Sequence, residues 1–276
     1  MKTKQTLTQA TASTRWLPAL LFALALSLGT FNAPAQDLSV EEIVNRTNTA
    51  AYYQGEDGRA RVHMEIEDSQ GRTRERELTI LRKNIGDDNR DQKFYVYFHR
   101  PSDVREMVFM VHKYPGEDDD RWLYLPALDV TRRIAAGDER TSFAGSNFFY
   151  EDVSGRSPEE DDQELVETTD TYYVLKNTPK NPDAVEFDSF TMWIHKETFL
   201  PVVIEYDRGG DVYRKYEVLE VDTIAGFPTV IKAQMSDLRS GGKTINTYQS
   251  VEYNVDLPED IFTERYLRRA PREHIR

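Results

Sequence analysis

From Arg59 onward the chain alternates apolar and polar residues with a period of two, in segment after segment. "RARVHMEIED" sets Ala60, Val62, Met64 and Ile66 on one side and Arg61, His63, Glu65 and Glu67 on the other. Successive side chains of a strand point to opposite faces, so this pattern commits a segment to a half-buried strand. The same signature, or a more continuously apolar one rich in β-branched and aromatic residues, recurs down the chain. It is seen in "RERELTILRK", "KFYVYFHR", "EMVFMVHKY", "DRWLYLPAL", "TYYVLKN", "DSFTMWIHKE", "PVVIEYDR", "VYRKYEVLEV", "PTVIKAQMSDL" and "TINTYQSVEYNV". These make about eleven strand candidates. Several are separated by turn signals at Tyr114-Pro115-Gly116, Arg208-Gly209-Gly210, Gly226-Phe227-Pro228 and Ser240-Gly241-Gly242.

Helical spacing is confined to two places. "LSVEEIVNRTNTAAYY" brings Leu38, Val40, Ile43 and Val44 together, with Ser39 as N-cap and Glu42 placed to complete a capping box. "PEDIFTERYL" predicts a short helix with Pro258 in its first turn. Strands joined by turns without intervening helices imply an antiparallel sheet. A sheet of so many strands seldom stays flat. The expectation is a mainly β fold, a strongly curved antiparallel sheet of about eleven strands with helices on its concave side. "GEDDD" and "SPEEDDQE" are expected to be acidic loops within it. With no linker or repeat period, residues 36–276 are expected to form a single domain.

The first 35 residues have the pattern of an export signal. Lys2, Lys4 and Arg15 precede the apolar run Trp16 to Leu28, and Ala33-Pro34-Ala35 offers a small-x-small cleavage site that leaves Gln36 first. The run is shorter than the roughly 20 apolar residues of a membrane-spanning helix. No later stretch is apolar enough to span, so no stable membrane insertion is expected, and the compartment is expected to be the periplasm. There is no cysteine, which excludes disulfides, thiolate chemistry and a lipidated N-terminal Cys. Removing the leader takes three basic residues and no acid, so the net charge moves from −13 to −16. Such an acidic surface repels nucleic acid.

Catalytic and metal-binding patterns are missing from the sequence. None of His63, His99, His112, His195 and His274 has a zinc-helix spacing, and "HMEIE" fits a strand. Ser146 sits in "AGSNF", not in a nucleophile elbow. Asp118-Asp119-Asp120 lacks the spacing and central glycine of a calcium loop. The expectation is a binding protein, with no enzyme activity, metal or cofactor.

"RWLYLPALDVTRRIAAGDERTSFAGSNFFYED", Arg121 to Asp152, resembles the signature of the outer-membrane lipoprotein-sorting family, the LolA-like periplasmic carriers. The residues that carry the resemblance are Trp122, Tyr124, Pro126, Arg132, Arg133, Ile134, Phe143, Gly145, Ser146, Phe148, Tyr150, Glu151 and Asp152. Asn147 departs from the pattern, which usually has Asp there. "FLPVVIEYDRGGDVYRKYEV" resembles the family's strand-turn-strand. The resemblance implies an unclosed β-barrel covered by helices around an apolar cavity for acyl chains. It also implies a lipid or lipoprotein cargo and an RND-type inner-membrane exporter as partner.

An acyl chain gains roughly 0.8 kcal/mol per buried CH₂, so such a shuttle needs a dry cavity and no catalyst. Val62, Met64, Ile66, Phe98, Met110, Trp122, Tyr124, Phe143 and Phe148 are the expected cavity residues, with Met107 as a further adaptable methionine. A closed core is the alternative for the same side chains. Arg132 and Arg133 fall on opposite faces of a strand, so one is expected to pin Glu151 or Asp152 while the other faces solvent. A monomeric carrier is the leading expectation. An RseB-type lipid-sensing regulator and an envelope-polymer hydrolase are the alternatives.

Overall fold

In the computed structural model, residues 38–86 and 90–276 are described. The expected leader, residues 1–35, lies outside them. After α1 (Val40–Tyr52) the chain runs through β1 (Asp57–Glu67), β2 (Thr73–Ile85), β3 (Asp91–Arg100), β4 (Val108–Lys113), β5 (Asp120–Leu125) and β6 (Val130–Ile134). A loop containing α2 (Tyr150–Ser154) leads to β7 (Asp161–Thr168), β8 (Tyr172–Pro179), β9 (Ser189–His195) and β10 (Pro201–Arg208). Then come β11 (Asp211–Ile224), β12 (Phe227–Asp237), β13 (Gly242–Tyr253) and α3 (Glu264–Arg268).

All the strands join one antiparallel sheet, in the order β6-β5-β4-β3-β2-β1-β13-β12-β11-β10-β9-β8-β7. Among the described residues nothing pairs β6 with β7, so the sheet is an unclosed barrel. It has 13 strands, not about eleven. The two extra strands are its edges. β6 is the paired-arginine strand that only the family resemblance implies, and the first half of β7 overlaps the run expected to be an acidic loop. Edge strands are commonly short and charged, which protects them from pairing with another chain; "DDQELVET" in β7 therefore shows little apolar alternation.

Curvature follows from what α2 touches. The Tyr150 ring lies 5.0 Å from the Phe109 ring on β4, while Asp152, two residues on, is bonded to Arg214 on β11. Six inter-strand steps separate β4 from β11, about 29 Å in a flat sheet. Two helical residues span only about 3 Å. The sheet is therefore rolled around α2, which defines its inner face.

α1 starts as its sequence predicts, with Ser39 Oγ accepting from Glu42 N at 3.1 Å. The box is only half made, because the Glu42 carboxylate turns to Arg46 Nε at 2.6 Å. Ile43 and Val44 bury against Leu175 and Ile194 on the inner face. α3 departs from the expectation that helices cover the concave side. With Leu257, Ile261, Phe262 and Ile275 it packs on the outer face, against Leu81, Tyr95, Val108, Met110 and Trp122. His112 Nε2 donates to Phe262 O at 2.8 Å and Tyr95 Oη to Tyr266 O at 2.7 Å, which fasten this C-terminal segment down. β3 and β4 are thus buried on both faces, which explains why "KFYVYFHR" and "EMVFMVHKY" are continuously apolar.

Candidate functional site

The inner face divides into a filled half and a hollow half. In the filled half Val62, Met64, Ile66, Phe98, Phe143 and Phe148 form one buried cluster with Phe94, Phe109 and Val111. The loop before α2 supplies its lid. Phe143 packs its ring 5.5 Å from Phe98 and 5.6 Å from both Phe109 and Tyr150. Two backbone features let this loop turn inward. Gly145 takes φ +76°, and the buried Ser146 accepts from Phe148 N through its Oγ at 3.1 Å. Asn147 anchors the turn to β13: its N–H donates to Thr244 Oγ1 at 3.0 Å, and that hydroxyl donates to Asn147 Oδ1 at 2.8 Å. An Asp would keep this acceptor, so the departure from the family pattern leaves the anchor intact.

The hollow half is a cavity of about 270 Å³, just under the roughly 300–1,000 Å³ usual for small-molecule sites. Ala60, Ile80 and Phe94 from β1–β3 line one side, and Ile204, Tyr206, Tyr216, Met235 and Tyr248 from β10–β13 line another. Ala50, Ala51 and Tyr52 at the end of α1 and Phe148, Asp152 and Val153 around α2 also contribute, and the ion pair of Arg59 with Glu252 borders it. Arg82 also faces it, but its guanidinium is occupied with Tyr52 O at 2.9 Å, Asn84 Oδ1 at 2.8 Å and Gln54 O. It therefore ties the C-terminal end of α1 to β2.

Of the expected cavity residues, only Phe148 lines this space. Val62, Met64, Ile66, Phe98 and Phe143 lie in the filled core. Met110 and Trp122 are placed on the outer face beneath the C-terminal segment, with Tyr124 packed beside them. Alternation dictates this: Phe109 and Val111 take the inner face of β4, so Met110 must point away.

The expected arginine latch is corrected. Arg132 and Arg133 are both exposed. Arg133 pairs with Asp120 and lies 5.2 Å over the Trp122 ring on the outer face. Asp152 is held instead by Arg214, 5 % exposed, whose guanidinium also lies 3.9 Å over the Phe149 ring. Glu151 is held by Arg140 at 3.2 Å and Arg156 at 3.3 Å. Arg133→Ala and Arg132→Ala are each expected to change stability by only about 0–1 kcal/mol. Denaturant melts check this, and a loss above about 2 kcal/mol in either would restore the latch to β6.

These ions form a chain across the opening of the sheet. Arg121 on β5 binds Asp119 at 2.8 Å and Glu139 at 2.5 Å. Glu139 meets Arg140, which reaches Glu186 at 3.1 Å as well as Glu151. Arg156 then continues to Asp161 at 2.9 Å, at the start of β7. Lys113, also buried, donates to Ser154 O at 2.8 Å and Gly155 O at 2.6 Å and so caps the last turn of α2. Burial lowers its amine to about 8. Gly155 is required here, because its φ is +75° and a Cβ would come within 2.3 Å of Tyr52 Cζ.

Burial pushes the Glu151 carboxyl up to about 7; neighbouring Glu139 acts the same way, and Arg156 and Arg140 oppose it. The folded protein thus holds this proton more readily than the unfolded chain. The resulting stability is complete below the ordinary value of 4.5 and is lost as pH rises through about 7. Between about pH 5 and 8 the wild type is expected to lose up to about 3 kcal/mol relative to Glu151→Gln. Melts of the two proteins across that range measure it, and parallel curves would refute it.

His63, Glu65 and Glu75 are a possible metal-ligand group, with ligand atoms within 4.8 Å of one another. They sit on the outer faces of β1 and β2, away from the cavity. Among the described residues no helix is long and apolar enough to cross a membrane.

A family model described as "Uncharacterized protein" matches residues 90–269. The chain is similar to a DUF1329 family protein from Desulfovibrio piger, at 27% identity and TM-score 0.75, covering 82% of this chain and 96% of that one. It is similar in fold to a putative outer membrane lipoprotein-sorting protein domain from Vibrio parahaemolyticus, at 23% identity and TM-score 0.74, covering 83% and 97%. A LolA superfamily protein from Nitrosomonas europaea shares the fold at 19% identity and TM-score 0.64, covering 83% and 99%. No curated protein matches.

Proposed function

The chain belongs to the family whose model matches residues 90–269, and we propose that it is a periplasmic carrier of lipid or lipoprotein acyl chains on a LolA-like fold. The observation that carries this reading is the cavity between α1, α2 and the inner face of the rolled sheet, walled by Ala50, Ala60, Ile80, Phe94, Val153 and Ile204. A water-filled space with such walls gives up free energy when an apolar chain displaces the water, by about 25 cal/mol per Å² covered. The likeness in fold to a putative lipoprotein-sorting domain supports the same reading. An RND-type exporter as loading partner and delivery toward the outer membrane belong to this proposal through the sequence resemblance.

The test is titration of the delipidated protein with a fluorescent fatty acid, beside mass spectrometry of organic extracts from protein purified natively. Saturable binding and a co-extracted lipid are expected. Absence of both would end the carrier reading. Transfer of the extracted lipid to acceptor vesicles separates a carrier from a lipid-sensing regulator, which would bind without delivering.

A further inference from the structure

The cavity is not uniformly apolar. Tyr52, Tyr206, Tyr216 and Tyr248 all line it, from α1, β10, β11 and β13. None of their hydroxyls has a hydrogen-bond partner among the described residues, and none is sealed off in the packed core. Other tyrosines behave differently. Tyr53 Oη donates to Arg90 O at 2.8 Å, Tyr95 Oη donates to Tyr266 O at 2.7 Å, and Tyr253 Oη lies 2.9 Å from Thr229 Oγ1. A hydroxyl withdrawn from bulk water is normally satisfied. These four line one space without a protein partner and are free to donate to what occupies it. Burial holds all four phenols above their ordinary pKa, so each carries its proton at neutral pH.

The charged groups nearby are already committed. Asp152 is paired with Arg214, Arg59 with Glu252, and Arg82 is spent on the backbone of the α1 end. Among the described residues no unpaired cation lines the cavity to hold a carboxylate or phosphate. The unfilled demand is for neutral oxygen acceptors beside an apolar body.

We propose that the cavity binds a neutral acyl ester, its carbonyl oxygen hydrogen-bonded among the phenols of Tyr52, Tyr206, Tyr216 and Tyr248 and its chain against the Ala60–Ile80–Phe94 wall. This rests on the carrier reading and adds an orientation to it: the polar group goes inside. Water alone on the four phenols is the competing occupant.

The experiment displaces the carbonyl-free fluorophore N-phenyl-naphthylamine from delipidated protein with methyl laurate or with dodecyl methyl ether, which lacks the carbonyl. The ester is expected to displace the fluorophore at about tenfold lower concentration than the ether. In the double variant Tyr216→Phe with Tyr248→Phe that gap is expected to close to about threefold or less, because the ester loses more than the ether when the two donors are removed. On the wild type, the ester is also expected to give a tyrosine ultraviolet difference signal that the ether does not, which decides the matter if the variant fails to fold. Equal displacement by ester and ether, with no difference signal, overturns the ester site and leaves the carrier reading standing. A fluorophore that does not bind at all overturns both.

Discussion

Arg214→Met is expected to destabilise the protein by about 3–5 kcal/mol, the cost of breaking a buried ion pair from one side. Arg214 is 5 % exposed, and its partner Asp152 is 14 % exposed. Among the described residues, the substitution leaves a carboxylate that accepts from Phe149 N alone, at 2.6 Å. It also removes the guanidinium from the Phe149 ring and from Asn147 O. Because β11 and the aromatic loop meet through this pair, the loss should release the loop from the far side of the rolled sheet. Adding Asp152→Asn removes the stranded charge while keeping an acceptor for Phe149 N, so the double variant is expected to recover part of the loss. Urea melts of the single and double variants measure this. A single variant within about 1 kcal/mol of wild type, the ordinary range of an exposed pair, would mean that the pair is not structural.

Met64→Glu is expected to be at least as damaging. Met64 is 2 % exposed within the filled half of the inner face. A carboxylate there loses its hydration without gaining a partner, a cost of several kcal/mol. Met110→Glu should fail for the same reason on the outer face, where Met110 is fully buried beneath the C-terminal segment. Neither substitution therefore reports on ligand binding. The informative change is Ala60→Phe, which puts bulk into the hollow half. It is expected to leave the melt within about 1–3 kcal/mol of wild type while weakening binding of an acyl probe. Near-normal stability of Met64→Glu would show that the filled half opens to solvent.

The contrast between Met64 and Ala60 shows where local pattern stops being informative. Both lie on the inner face of β1, and alternation places them there unaided. Which of the two meets a packed ring and which meets empty space depends on where residues 143–153 fold back across the sheet. The signature "FAGSNFFYED" marks that segment as unusual, and its glycine and serine are used as turn formers. The arginines that hold it, Arg140, Arg156 and Arg214, lie outside the paired Arg132-Arg133 motif. An arginine reads as a surface residue unless the position of its carboxylate is known, and Arg214 lies 62 residues from Asp152.

Period-two alternation, β-branched content and turn residues are local properties, and they were enough to specify an antiparallel, curved, mainly β fold and eleven of its strands. The Ser39 cap and the strand character of "HMEIE" were legible for the same reason: each is decided within a few residues. The edge strands β6 and β7 were harder to count because a strand with one neighbour tolerates charge and brevity. The face on which α3 lies, the split between filled and hollow halves, and the four phenols turned into one cavity were decided by tertiary structure alone. They depend on which strands stand opposite one another when the sheet rolls, a relation set by contacts between residues far apart in the chain.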